Sequence, residues 1–194
     1  MRTVLRSSYG EGNRNVFALT TQNHAEYCKR HGYDYLPVEE KYNPYVDTDM
    51  LFKLLDDYDL VVTIGCDVVI QQLDTPVDKF FHRGIVMCKE YAGPTLNADL
   101  MLYNGARAGD ILYRLSIFQQ QRATGQAALN ALYGKVPGIY NEPDMQIAAP
   151  SMNPKLDYSG VDFTKYFALH YHTLGEWANP PKKYEQLKAA GIGS

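Results

Sequence analysis

LVVTIGCDVVIQQ, residues 60–72, is the stretch on which the reading of this chain turns. Leu60-Val61-Val62-Thr63-Ile64 is an unbroken apolar and β-branched approach, the pattern of a buried strand. It runs into a small residue, a cysteine and one carboxylate, Asp67, before a second apolar stretch begins. In α/β sheets, ligands gather beyond the carboxyl ends of strands, and Asp67 falls near such an end. A hydrophobic strand holds the carboxylate that follows it firmly, as a metal ligand or sugar-binding group requires. The same residue can instead cap a turn by accepting local backbone N–H groups. One acid is not a metal site.

Outward from this strand, the chain alternates strands with helices. Thr3 to Arg6 predicts an opening strand that empties into a flexible polar loop, Ser7-Ser8-Tyr9-Gly10-Glu11-Gly12-Asn13. A helix is expected from Val16 to His31, stopped by Gly32, then a strand from Tyr33 to Val38 and a loop over 39–47. A helix over Thr48–Asp57 precedes the strand quoted above. Beyond it, Leu73-Asp74-Thr75-Pro76 opens a short turn or helix carrying Val77, Phe80 and Phe81. Further strands are expected at 84–88, 100–103 and 166–170, and helices at 110–121 and 126–133. Residues 150–165, with Pro150, Pro154 and Gly160, suit an irregular connection within the domain. The alternation predicts an α/β sandwich around a mixed or mainly parallel sheet, one domain over 1–194.

At 194 residues the chain is long enough for a core that needs no staples. A formal charge of −3 argues against general nucleic-acid binding, which calls for a cationic surface. Cys28, Cys66 and Cys88 show neither C-x-x-C spacing nor a disulfide-rich pattern, which suits a reducing compartment. The opening MRTVLRSSYGEGNRN lacks the apolar stretch of a signal peptide, and no apolar run approaches the roughly 18 residues of a membrane span. The expectation is a cytoplasmic protein, or a soluble domain trimmed from a membrane-anchored parent. The 16 tyrosines fit stacking around a ligand or, more commonly, half-buried packing.

Five segments in one order resemble the nucleotide-sugar glycosyltransferases of the GT-A fold: HGYDYL (31–36), LFKLLDDYDLVVTIGCDVVI (51–70), LNADLMLYNG (96–105), GQAALNALYG (125–134) and HYHTLGEW (170–177). The similarity is greatest to the galactosyl/xylosyltransferase group and its glycogenin-like relatives, and covers most of the chain. It implies a single Rossmann-like domain with a mixed central sheet. In that family a D-x-D motif ends a central strand and binds a divalent metal that bridges the nucleotide diphosphate. Gly65-Cys66-Asp67 matches it with the first acid replaced by glycine. His172-Thr173-Leu174-Gly175 has the form of the family's H-x-x-G element, so the resemblance implies Asp67 and His172 as ligands of Mn²⁺ or Mg²⁺. His170, two residues away on a strand, should face the opposite side, as core packing or as support for a ligand.

The remaining roles follow from the same resemblance. Asn97 is expected to bond a sugar hydroxyl, and Asp99, where the family usually has glycine, to accept from donor hydroxyls or orient the acceptor. Gln126 carries over from a D-Q-x-x-x-N element whose acid is Gly125 here, while Asn130 reads as structural. Ser7, Ser8 and Tyr9 are expected at the base and ribose, and Lys53 near the diphosphate. Lys182 or Lys183 is expected over the phosphates, and Trp177 at the acceptor wall or against the C-terminal helix. The implied reaction moves a sugar from a nucleoside diphosphate, UDP favoured, to a carbohydrate or other hydroxyl, with retention. Inversion needs a general base, for which Asp99, Glu142 or Asp144 is available. A nucleotide-sugar binder that lost catalysis with Gly65 and Gly125 is the alternative. A different Rossmann-like nucleotide enzyme fits less well, because GEGNRN lacks the G-x-G-x-x-G order.

Overall fold

A computed structural model describes residues 1–40, 47–89, 95–120, 125–148, 159–171 and 180–192. Strand β1 (Thr3–Gly10) leads to helix α1 (Arg14–His31), β2 (Asp34–Glu40) and α2 (Thr48–Asp57). The quoted stretch forms β3 (Leu60–Gly65) and β4 (Val68–Ile70), and then come β5 (Gly84–Lys89) and β6 (Leu96–Asn104). Helices α3 (Gly105–Gln120) and α4 (Gly125–Leu132) precede the short strands β7 (Ile139–Asn141), β8 (Gln146–Ala148) and β9 (Ala168–His170). Helix α5 (Pro180–Ala189) follows.

Six strands form one sheet in the order β2-β1-β3-β6-β5-β7, in which only β6 runs against the others. A three-stranded sheet, β4-β9-β8, stands beside it. The expected mixed α/β sandwich is therefore what the chain builds. β3 lies inside the large sheet, and its alternate residues go to opposite faces. Leu60, Val62 and Ile64 pack with Tyr27 and Cys28 of α1, whereas Val61 packs with Leu51 of α2, Ile111 and Leu115 of α3 and Leu129 of α4. Covering both faces removes any reason for polar alternation, so the strand reads as one apolar run. Each such fully buried side chain contributes about 1.5–3 kcal/mol by leaving water.

Helix α1 does more than cover the sheet. Thr20, Asn23 and His24 lie three and four residues apart, on one helix face. Thr20 Oγ1 donates to the Cys66 carbonyl at 2.8 Å, and His24 Nε2 lies 2.8 Å from the Val68 carbonyl. The Asn23 amide both donates to the Ile70 carbonyl at 2.8 Å and accepts from the Ile70 N–H at 2.9 Å. Asn23 and His24 thus serve the backbone of β4 at the edge of its sheet, and Thr20 that of the turn before it. The chain is held as it passes through Cys66-Asp67 from one sheet to the other. Gly32 ends α1 in the left-handed region (φ 68°), as its position predicts.

Two expectations about strands need correction, and two short strands are additional to those expected. β1 runs to Gly10, so Ser7, Ser8 and Tyr9 are strand residues paired on one or both sides. Polar residues at the end of a central strand imitate a loop when only composition is read. β6 begins at Leu96 rather than Leu100, which puts Asn97 and Asp99 on the strand. β7 and β8, three residues each, are too short to show a periodicity in sequence.

Candidate active site

The turn Cys66-Asp67 joins β3 of the large sheet to β4 of the small one. Register brings two further residues to it. β6 pairs antiparallel with β3, Leu100 facing Ile64, so Asp99 arrives one step on, beside Gly65. β9 pairs antiparallel with β4, His170 facing Val68, and the Tyr171 N–H donates to the Asp67 carbonyl at 2.8 Å. His170 Nε2 lies 3.6 Å from Asp67 Oδ1 and 3.4 Å from Asp99 Oδ2. One donor atom from each of the three residues falls within 4.8 Å of the others. His170 is therefore at the site, a correction to the expectation that it faces away. The direction in which His170 points depends on the register of β9, which sequence does not carry.

A fourth group comes from α5. Lys183 Nζ donates to Asp67 Oδ2, and both side chains are less than one-tenth exposed. Leu187, one turn further along α5, is fully buried with Val16, Phe17 and Leu19 of α1 and with Cys66, which seats the helix against the turn. Lys182, the other candidate cation, is exposed on the first turn of α5. Burial works against every charge here, yet the partners outweigh it. His170 and Lys183 hold the Asp67 carboxyl well below its ordinary range. Asp99 and Asp67 hold the His170 imidazole above its ordinary value, and Asp67 does the same for the Lys183 ammonium. The cluster is thus two acidic side chains facing an ammonium and an imidazole.

Asn97 and Gln126 are near but are occupied. Asn97 is buried, and its Oδ1 accepts from the Asp99 N–H at 2.9 Å and from Gln146 Nε2 at 3.0 Å. Gln126 Oε1 accepts from the Ala98 N–H at 3.2 Å. Together they fix the backbone that presents Asp99. Asn130 is structural as expected, bonding both the N–H and the carbonyl of Leu96. Ser7 is fully buried, with Oγ 3.0 Å from His24 Nδ1, and so does not face a ligand. Tyr9 stacks on Phe17 with ring centroids 4.1 Å apart, and Ser8 is partly exposed beside it.

Lys53 is exposed on α2, where none of the contacts described here joins it to the cluster. Glu142 lies 2.6 Å from His82 Nε2 and Asp144 is exposed. His172 and Trp177 lie outside the described residues. Sequence reasoning leaves Lys182 and Lys183 as alternatives. The available signal for Lys183 was its spacing of four from Leu187, which puts both on one helix face.

No family model matches the chain, and no curated protein matches it in sequence. Solved structures do match its fold. A glycosyltransferase involved in the glycosylation of the major capsid of PBCV-1 superposes with a TM-score of 0.67 at 14% identity, over 97% of this chain and all of that one. The galactosyltransferase LgtC, solved with donor and acceptor sugar analogs, gives 0.54 at 12% identity, over 98% and 96% of the two chains. The glycosyltransferase GlyE of Streptococcus pneumoniae TIGR4 gives 0.53 at 11% identity, covering all of this chain and 66% of that one. The chain has the GT-A-like fold of these glycosyltransferases.

Proposed function

We propose that this protein is a metal-dependent glycosyltransferase, moving a sugar from a nucleoside diphosphate sugar to a hydroxyl of a glycan or another acceptor. One observation carries the reading. Asp67, Asp99 and His170 converge on one point at the carboxyl end of β3, in a fold shared with glycosyltransferases. Two carboxylate oxygens and an imidazole nitrogen suit Mn²⁺ or Mg²⁺ and leave places for diphosphate oxygens and water. The acids already attract a cation, since the Lys183 ammonium sits on Asp67. These residues therefore fit the ion that the fold class implies. When bound, it would neutralise charge on the departing diphosphate.

The chain's own residues supply the rest. Asp67, Asp99 and His170 would hold the cation, while Lys183, and Lys182 on the exposed face, add positive charge beside it. Tyr9 and Ser8, at the end of β1, are the candidates for base and ribose, and a UDP-sugar is the favoured donor. Lys53 remains a more remote candidate for the phosphates. Asn97 and Gln126 act by holding the Asp99 segment in place. Asp99 belongs to the cation cluster, so it is not set apart as a covalent nucleophile. In the retaining route the acceptor oxygen attacks the anomeric carbon from the face the diphosphate leaves, and its proton passes to the leaving phosphate oxygen.

A second reading, a nucleotide-sugar binder without turnover, draws on the same Lys183–Asp67 contact, which places an ammonium on a carboxylate that the ion would use. One experiment separates the two. The protein is incubated with UDP- and GDP-sugars, with Mn²⁺, Mg²⁺ or chelator, and nucleoside diphosphate release is followed. Release from one donor that requires metal and is lost in D67N and H170Q supports the transferase. H172A belongs in the same panel, to tell the two histidines apart. A donor that raises the melting temperature without being cleaved supports the binder, and silence in both assays refutes both readings.

A further inference from the structure

Position 65 is glycine for reasons of space. Its backbone is not in the left-handed region, so an ordinary side chain meets no conformational penalty there. A Cβ built on Gly65 would stand 3.1 Å from Asp67 Oδ1, 3.3 Å from Asp99 Oδ1 and 3.5 Å from Asp99 Cβ. A side chain at 65 would crowd the Asp67 carboxylate first and then that of Asp99, which reaches across from the antiparallel neighbour. The Asp99 side chain is placed with care. Its own N–H is bonded to Asn97, Asn97 is bonded to Gln146, and the carboxylate stays 38% exposed, open to a ligand.

We infer that Asp99 and Gly65 are a steric pair spanning two strands, in which β6 supplies the second carboxylate of the cation site and β3 makes way for it. The inference rests on the cation-binding reading above and deepens it. The two positions are exchangeable in principle, because a side chain mounted at 65 starts beside the carboxylates of both Asp67 and Asp99. Asp99 is then a ligand for the ion, whereas Asn97 and Gln146 are positioning residues for it.

The test is Mn²⁺ binding, measured by titration calorimetry and by the paramagnetic resonance signal of free Mn²⁺, with and without UDP. D99N preserves shape and should weaken binding at least about tenfold. Moving the acid, in G65D/D99G and separately in G65D/D99A, should restore affinity to within about threefold of the original protein. The alanine version guards against a failure caused only by a second flexible residue in β6. G65D alone places three acids together, so its melting temperature should fall in chelator and recover with Mn²⁺. Binding that survives D99N overturns the inference and leaves the cation site standing. So does loss in D99N that neither exchange variant repairs while both melt as folded proteins. If the unaltered protein binds no Mn²⁺ with or without UDP, the cation reading fails and the inference with it.

Discussion

Replacing Asp67 with asparagine would strip the buried Lys183 ammonium of the carboxylate it donates to, and the cost can be worked from the structure. Lys183 is 7% exposed and Asp67 6%, so water cannot readily take over. Removing one partner of a buried pair costs about 3–5 kcal/mol, chiefly because the other charge stays behind. For a chain of this length that is a fall in melting temperature on the order of 10 °C. Lys183→Met should cost less, because Asp67 keeps the His170 imidazole 3.6 Å away. The double variant D67N/K183M removes both charges of the pair and should recover most of the loss, giving a coupling of at least about 2 kcal/mol. Urea unfolding of the four proteins in chelator, followed by circular dichroism, measures it. A D67N protein as stable as the original, or losses that simply add, would refute the argument that this pair is buried and coupled. The cycle also bears on function, because D67N can abolish sugar release by loosening α5 as well as by losing the ion.

Two further predictions concern pH. An imidazole must be unprotonated to bind a metal, and Asp99 and Asp67 raise the pKa of His170. Mn²⁺ affinity should therefore climb as pH rises through a value above the ordinary 6.5, and calorimetry giving a flat affinity from about pH 6 to about pH 8 would contradict this. The second prediction concerns His24, fully buried between Ser7 and the Val68 carbonyl, where burial pushes its pKa from 6.5 down to about 4. The unfolded chain takes up this proton below 6.5 while the folded one resists until about 4, so stability falls over that interval by roughly 3 kcal/mol. Asp67, with a lowered pKa, loses its contribution only below the ordinary 3.8, and that of His170, with a raised one, is complete below 6.5. Neither tilts the interval. H24Q keeps a donor for Val68 but cannot titrate, and an undiminished slope in that variant would count against His24 as the cause.

What sequence made legible was whatever burial writes directly into residue type. β3 announces itself because both of its faces are covered, and α1 ends where Gly32 supplies the left-handed turn. Asp67 was found because it breaks an apolar run at a strand end. The partners of Asp67 were harder to read, since each arrives by pairing over a long sequence separation. Asp99 reaches the turn through the register of β6, His170 through that of β9, and Lys183 through the seat of Leu187 against α1. Ser7 shows the converse error. A polar residue at the end of a strand suggested a ligand contact, but its hydroxyl is spent on a buried histidine seventeen positions away.

Two of the departures from the motifs this chain resembles, glycine at 65 and aspartate at 99, look in sequence like separate defects thirty-four residues apart. In the fold they are neighbours. Antiparallel pairing sets the two positions side by side, and a side chain at 65 would press on the carboxylate at 99. An acid at both positions would crowd three carboxylates around one turn, against an ammonium and an imidazole, and an acid at neither would leave Asp67 with His170 as its neighbour and Lys183 as its cation. One acid from one strand keeps the charge near balance and keeps two carboxylate oxygens beside the imidazole. If Asp99 is the second acid of a cation site, the glycine at 65 is weak evidence for a dead site in this chain. The question to put to a motif with a missing acid is whether the strand paired with it has supplied the oxygen instead.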